Sequence, residues 1–211
     1  MRSHKTRYAA LFLSVLYFLI SSPLKAGVPT EQVQTTVDKV LNILQDPQLK
    51  PENKKEERRS QLRQVIAPRF DFNEMAKRSL GTHWQRVTPN NQQEFVKLFA
   101  DLLEKSYVDK IASYSGEKVR YTRENQDRDY AEVDTKIVNK KGEEFSVNYK
   151  LHSASGQWKA YDVVIENISL VNNYRSQFNR VIADSSFEEL LRRLREKQFE
   201  APGKGKKSEK S

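Results

Sequence analysis

The sequence contains no cysteine, which excludes disulfides, zinc–thiolate sites and thiol catalysis. Its seven glycines are scattered, so no glycine-rich loop is available to hold a phosphate group. A nucleophile elbow, in which glycines flank a serine two positions away on each side, is also missing. His83 and His152 are far apart in the sequence, and neither has acidic residues at metal-site spacing. We therefore expect no catalytic residues, no metal and no cofactor.

Long hydrophobic runs are absent except near the start of the chain. Tyr8–Ile20 contains thirteen residues without a charge, and Arg2, Lys5 and Arg7 precede it. A helix needs roughly 20 apolar residues to cross a bilayer, so this run is too short. A basic stretch followed by a short apolar run predicts a signal peptide over residues 1–26, and hence export. Leu24 lies at the third position before a cleavage site after Ala26, where a small residue is preferred. An uncleaved anchor is therefore the alternative.

The excess of positive charge is small once the two ends of the chain are set aside. The formal net charge is +9, but residues 1–26 carry four bases and no acids, which leaves +5 for the remainder. Glycine, lysine and serine dominate residues 201–211, which predicts a disordered basic tail. Elsewhere bases alternate with acids, as in PENKKEERRSQ, a pattern typical of a solvated helix face. The sequence therefore predicts one domain over residues 27–200 and no nucleic-acid binding.

Apolar residues recur at helical spacing in the first half of the chain and again near its end. Helices are predicted over Thr30–Gln45, over Glu52–Ile66 and over the segment DFNEMAKRSL, which begins with a capping box. The longest predicted helix follows Thr88 and Pro89 and carries a broad apolar stripe. Two further helices are predicted to begin at Ser169 and Ser185.

Between these helical regions the period of the apolar residues changes to two. The alternation predicts four strands, at Lys118–Arg123, Tyr130–Asn139, Glu144–His152 and Gln157–Ile165. Short polar connections between the strands predict an antiparallel meander. Helices, then a meander, then helices indicate an α+β fold with a strongly twisted, cone-like sheet capped by helices. Such a cone can enclose an apolar pocket between the sheet and the helices.

Asp162 is the one acid in the apolar strand segment YDVVI. A structural role, in which it accepts backbone N–H groups or pairs with the nearby Arg175, is the interpretation we favour. The alternative is a general base whose pKa is raised by an apolar pocket.

Three segments carry a resemblance to the periplasmic phospholipid-binding MlaC/toluene-tolerance family. The segment WKAYDVVIENISLVNNYRSQF matches the family pattern at Trp158, Tyr161, Asp162, Glu166, Ser169, Leu170, Tyr174, Arg175 and Phe178. RFDFNEMAKRSLGTHW matches at Arg69, Asp71, Phe72, Leu80, Gly81 and Trp84. TPNNQQEFVKLFADLLEKSY matches at Thr88, Pro89, Gln92, Phe95, Leu102, Leu103 and Tyr107. One departure is Asn167, which stands where the family usually has glycine, although asparagine tolerates positive φ better than most residues.

The resemblance implies a monomeric periplasmic carrier of diacyl phospholipid that maintains outer-membrane lipid asymmetry. Its implied partners are an outer-membrane lipoprotein–porin complex and an inner-membrane ABC transporter with a lipid-binding ring. We expect the acyl chains to bind apolar residues of two helices, of the sheet and of the strand-to-helix turn. These lipid-binding candidates are Met75, Leu80, Phe99, Leu102, Leu103, Tyr107, Val133, Ile137, Val147, Tyr149, Leu151, Val164, Ile168 and Val171.

Two other classes of function stay open at this stage. An enzyme on a similar cone could use Asp162 with Tyr149 or Tyr161 for proton transfer. An adaptor would have a dry core and no ligand.

Overall fold

A computed structural model describes residues 28–113 and 116–199 of the chain. The predicted signal peptide (1–26) and basic tail (201–211) lie outside these residues. Within the described ranges, no helix combines the length and apolar character that crossing a bilayer requires.

The described residues form six α-helices, several of which begin at the predicted caps. The helices are α1 (Pro29–Gln45), α2 (Lys55–Ile66), α3 (Phe72–Leu80), α4 (Pro89–Ala112), α5 (Leu170–Asp184) and α6 (Phe187–Arg195). Asp71, Thr88 and Ser169 each accept a hydrogen bond from a backbone N–H in the first turn of the helix that follows. The cap of α6 is Ser186 rather than the predicted Ser185, and Val28 rather than Thr30 precedes α1. Short polar side chains thus fix where the chain turns into a helix.

The strands form one antiparallel sheet in sequence order. They are β1 (Lys118–Asp127), β2 (Tyr130–Val138), β3 (Glu144–Ala154), β4 (Gln157–Ile165) and β5 (Ile168–Ser169). The α+β class is as predicted, but the sheet has five strands rather than four. The additional strand is only two residues long, because a tight turn at Glu166–Asn167 folds Ile168 back onto Ile165.

A bulge in β4 changes which residues of that strand face the helices. Lys150 of β3 is opposite Asp162, whereas the next residue, Leu151, is opposite Ala160, so Tyr161 has no opposite partner. An extra residue in one strand shifts the alternation of its side chains by one position. Ala160 therefore faces inward before the bulge and Val163 faces inward after it.

Two well-packed regions flank the centre of the molecule. In the larger one, α3, α4, α5 and α6 pack around fully buried aromatic rings, Phe95, Phe99, Tyr174 and Phe178. The rings of Phe99 and Tyr174 meet edge to face with centroids 5.4 Å apart, a favourable geometry for aromatic pairs. In the smaller region, Val33 of α1 covers the far end of the sheet. The space between these two regions is where α1 and α4 face the sheet.

Candidate functional site: an apolar cavity

A cavity of about 790 Å³ lies between α1, α4 and the inner face of the sheet. This volume is in the upper part of the range of small-molecule sites, roughly 300–1,000 Å³. A tightly packed protein interior has few voids larger than a water molecule. The cavity is therefore a built feature of the fold.

The helical walls are formed by one apolar face of each helix. On α4, Ala100, Leu103, Tyr107 and Ile111 recur at intervals of three or four residues, which places them in one row. Their neighbours Phe95, Phe99 and Leu102 point instead into the dry helical core. On α1 the apolar part of the wall consists of Val33, Val37, Val40, Leu41 and Leu44, with Thr36 as the one polar residue of this helix among those that line the cavity.

The sheet contributes alternate residues of its strands. In β3, Val147 and Tyr149 face the cavity, and their partners across the ladder, Ile165 and Val163, face it from β4. Burial raises the pKa of the Tyr149 hydroxyl to about 12. The phenol is therefore neutral at physiological pH, and the wall carries no charge at this point.

One end of the cavity is closed by a polar tie between α1 and β4. The Arg69 Nη1 donates to the Trp158 carbonyl oxygen at 2.6 Å and to Gln32 Oε1 at 2.8 Å. Its Nε donates to Thr36 Oγ1 at 3.1 Å. Burial lowers the pKa of the Arg69 guanidinium. These bonds hold α1 against the sheet and satisfy a half-buried cation.

The other end of the cavity has an apolar rim that is exposed to solvent. Phe145 and Ile168 both line the cavity and are 37% and 40% exposed. They are two of the four large hydrophobic side chains classed as exposed among the described residues. Charged side chains lie around the walls as well, including the ion pair between Arg63 of α2 and Glu104 of α4. The interior of the cavity is therefore apolar, whereas its margin carries both apolar and charged side chains.

The turn that carries Ile168 tolerates asparagine in place of glycine. Glu166 and Asn167 both have positive φ, +47° and +64°. The Glu166 backbone N–H donates to the Ser146 carbonyl oxygen at 3.1 Å, and Glu166 Oε1 accepts from Ser146 Oγ at 3.1 Å. The bend is therefore present despite the departure at Asn167, and it is fixed by bonds to β3.

Asp162 has the predicted structural role, with one correction. Its Oδ2 accepts from Ser169 Oγ at 2.6 Å and its Oδ1 accepts from the Val171 backbone N–H at 3.1 Å. The pairing with Arg175 is wrong, because the Arg175 Nε donates to the Arg78 carbonyl oxygen at 2.8 Å. Asp162 is 5% exposed and does not line the cavity.

The structure brings half of the predicted lipid-binding residues together. Those that line the cavity are Met75, Leu103, Tyr107, Ile137, Val147, Tyr149 and Ile168. The others lie outside its wall. Leu80, Phe99, Leu102 and Val171 belong to the helical core, and Val133 and Leu151 belong to the cluster at the far end of the sheet. Val164 points to the opposite face of β4, because the bulge puts its neighbours Val163 and Ile165 inside.

Sequence reasoning missed the contribution of α1 and of the chain around the start of α3. Phe70 and Phe72 line the cavity, as does most of the apolar stripe of α1. That stripe was visible in the sequence as a helical repeat of valine and leucine. A repeat of this kind does not show whether a helix faces a filled core or a void.

The described residues contain no cluster of three or more histidine, aspartate and glutamate side chains that could ligate a metal ion. The walls of the cavity are mostly apolar, which suits a ligand with a large hydrocarbon part.

Comparisons with known proteins point to a lipid-related family. The chain is 19% identical to the intermembrane phospholipid transport system binding protein MlaC of Haemophilus influenzae, over 88% of this chain and 89% of that protein. It is 24% identical to the toluene tolerance protein ttg2D of Pseudomonas putida, over 78% of this chain and 79% of that protein.

A solved structure has the same fold. It is the phospholipid-binding protein of Ralstonia solanacearum, determined in complex with a phospholipid at 1.53 Å resolution. The two structures superpose with a TM-score of 0.71 at 30% sequence identity, over 79% of this chain and 94% of the other. The model of the MlaC protein family matches residues 34–196, which include α4, the whole sheet and α1 from Gln34 onward. The chain belongs to the MlaC family.

Proposed function

We propose that this protein is a periplasmic phospholipid carrier that holds acyl chains in the cavity between α1, α4 and the sheet. The observation that carries the proposal is the cavity itself: about 790 Å³, with mostly apolar walls and an exposed apolar rim at Phe145 and Ile168. A lipid needs this combination, since its chains require cover while its polar head can stay in water.

The relatives support the same ligand class. The Ralstonia solanacearum protein is described as phospholipid-binding and was solved with a phospholipid. The Haemophilus influenzae relative is described as the binding protein of an intermembrane phospholipid transport system. Both matches cover most of this chain, 79% and 88% of it respectively.

The energetics explain why such a carrier needs a deep apolar site. Burial of one methylene group contributes about 0.8 kcal/mol. Two acyl chains with roughly 30 methylenes would therefore cost ~20 kcal/mol or more if they were exposed to water. A carrier must cover nearly all of this surface, and catalytic groups in the wall would only add polar atoms that need partners.

The transport route that we propose runs between two membranes. The carrier would exchange lipid with an outer-membrane lipoprotein–porin complex and with an inner-membrane ABC transporter that bears a lipid-binding ring. It would act as a monomer and maintain the lipid asymmetry of the outer membrane. Support comes from the transport-system name of the Haemophilus relative and from the secretory pattern of residues 1–26.

An enzyme that uses Asp162 as a general base has little support. Both of its carboxylate oxygens already accept hydrogen bonds, from Ser169 and from the Val171 backbone. A base must be within reach of a substrate proton, and Asp162 does not line the cavity.

Organic extraction of the purified protein, followed by mass spectrometry, tests the carrier function. We expect diacyl phospholipid to co-purify at close to one molecule or more per protein. Protein without any bound lipid, which also takes up none from detergent micelles, would contradict the carrier function and favour a ligand-free adaptor.

The proposed export has its own test. Intact-mass analysis of protein from the periplasmic fraction should show a chain that begins near Gly27. A chain that retains Met1 and the apolar run would instead indicate an uncleaved anchor.

A further inference from the structure

A second depression adjoins the lipid cavity where α1 and α4 both end. Its wall includes Leu44, which also lines the lipid cavity, and Ala112 and Gly116. On α4, Ala112 lies between Ile111 and Ser113, both of which line the lipid cavity. The two spaces are therefore direct neighbours on the same side of the molecule.

Among the residues that the structure describes, three cations line this depression and no acid does. They are Lys50, which follows the turn after α1, Arg58 of α2, and Lys140 of the turn between β2 and β3. The salt bridges found among residues 28–113 and 116–199 include none of the three. Arg59, a neighbour of Arg58 on α2, does have a carboxylate partner, in Asp109 of α4. Unpaired cations that converge on one space attract an anion.

Arg58 provides the second observation. Its Nη1 donates to the Leu49 carbonyl oxygen at 2.6 Å, which fixes the guanidinium against the turn after α1. Its Nε is buried and has no hydrogen-bond partner in the part of the chain that the structure describes. A buried N–H donor without a partner is costly, and an arginine fork suits the oxygens of a phosphate group. Arg58 is thus held in place beside the depression, and a shift of its side chain would bring the unused Nε donor to a ligand.

We infer that Lys50, Arg58 and Lys140 form a site for the phosphate group of the lipid whose chains occupy the adjacent cavity. This inference rests on the proposed carrier function. The chains would lie along the α4 row that ends at Ile111, and the head group would leave the cavity beside Ala112 and Gly116. The site recognises the phosphate that phospholipids share, so it favours phospholipid over lipids with the same chains and no phosphate.

A competition between two lipids tests the inference. Lipid-free protein is offered equal amounts of a phosphatidylglycerol and a diacylglycerol with the same two chains, and mass spectrometry gives the bound ratio. Wild type should favour the phospholipid. Lys50→Glu/Lys140→Glu should lower the ratio about tenfold, because two attractions become repulsions. Lys50→Gln/Lys140→Gln should lower it about threefold.

The control is Lys39→Glu/Lys97→Glu. These two lysines are exposed on α1 and α4, line neither space, and give the same change in net charge. Thermal unfolding should be the same for all variants within about 2 °C, since all four lysines are exposed. If the control lowers the ratio of bound phospholipid to diacylglycerol as much as Lys50→Glu/Lys140→Glu does, the cause is a general effect of charge and the inference is overturned.

The remaining outcomes separate this inference from the carrier function. If wild type and Lys50→Glu/Lys140→Glu bind both lipids in the same ratio, the phosphate site is refuted and the carrier function stands. If wild type binds neither lipid, both are refuted. Free inorganic phosphate is the alternative ligand of this site, and its binding is measured by titration through the amide NMR chemical shifts of Gly116 and Lys140. If the changes in these shifts saturate below about 10 mM phosphate while the ratio of bound lipids is the same in wild type and in Lys50→Glu/Lys140→Glu, the site binds free phosphate and not the head group.

Discussion

Asp162 and Ser169 join the last long strand to the helix that follows it. The Ser169 hydroxyl donates to Asp162 Oδ2 at 2.6 Å, and Ser169 also caps α5 by accepting from the Asn172 backbone N–H at 3.0 Å. Asp162 Oδ1 accepts a further N–H of the same helix, from Val171. One buried carboxylate thus sets the position of α5 relative to β4, and with it the turn that carries Ile168 to the cavity rim.

This arrangement predicts that Asp162→Asn lowers stability. The amide keeps one acceptor, but it brings an NH₂ group to where acceptor oxygens are needed and removes a negative charge from a helix N-terminus. The unfolding free energy from urea titration should fall by about 1–3 kcal/mol. Asp184→Asn, at the exposed opposite end of α5, is the control and should change it by less than about 0.5 kcal/mol. Equal stability of the two variants would refute the structural role.

Ile168→Glu tests the rim of the cavity. The side chain is 40% exposed, so the carboxylate can stay hydrated and the fold should persist. A charge at the mouth disfavours chains that pass it, and the co-purified phospholipid per protein should fall to about half or less. Tyr130→Glu is the control, because Tyr130 is 51% exposed at the opposite end of the sheet. Full lipid load in Ile168→Glu would remove Ile168 from the binding wall.

Filling the cavity should separate lipid binding from stability. Ala100 of α4 faces the cavity, so Ala100→Phe places a ring in open space and should change the unfolding free energy by less than about 1 kcal/mol. The lipid load should fall, since the ring takes volume from the chains. Ala76→Phe is the contrast: Ala76 is fully buried in the helical core, and overpacking there should cost about 1–3 kcal/mol. If both variants lose the same stability, the space beside Ala100 is not available to a ligand.

The cavity tyrosine Tyr149 predicts a loss of stability at high pH. Its folded pKa is raised to about 12 by burial, whereas an unfolded tyrosine titrates at about 10. Its contribution is therefore fully present below pH 10 and is lost as the pH rises towards 12, at roughly 1 kcal/mol per pH unit. Tyr149→Phe should lose less stability between pH 9 and about 11 than wild type does. Tyr130→Phe, at an exposed position of the same sheet, should follow wild type.

The sequence was sufficient for much of the local structure, because the signals involved are local, although the caps of α1 and α6 and the short strand β5 were missed. Asp71, Thr88 and Ser169 start their helices as predicted, since a short polar side chain can reach only the N–H groups of the next turn. The start and end of β4 are also as predicted. The order of helical and alternating segments predicted an α+β fold and three motifs resembled the MlaC family, and the fold class and the family are as expected.

Only the tertiary structure decided which apolar residues face the cavity. The apolar stripe of α4 is wide enough to meet two surfaces. Phe99 and Leu102 contact only the helical core, whereas Leu103 and Tyr107, at the edge of that core, also line the cavity. On β4 a single extra residue, Tyr161, exchanges the inward and outward faces and brings Val163 in place of Val164. The periodicity of the apolar residues predicts which of them face away from solvent. Whether such a residue contacts other side chains or lines a cavity is set by packing between elements distant in the chain.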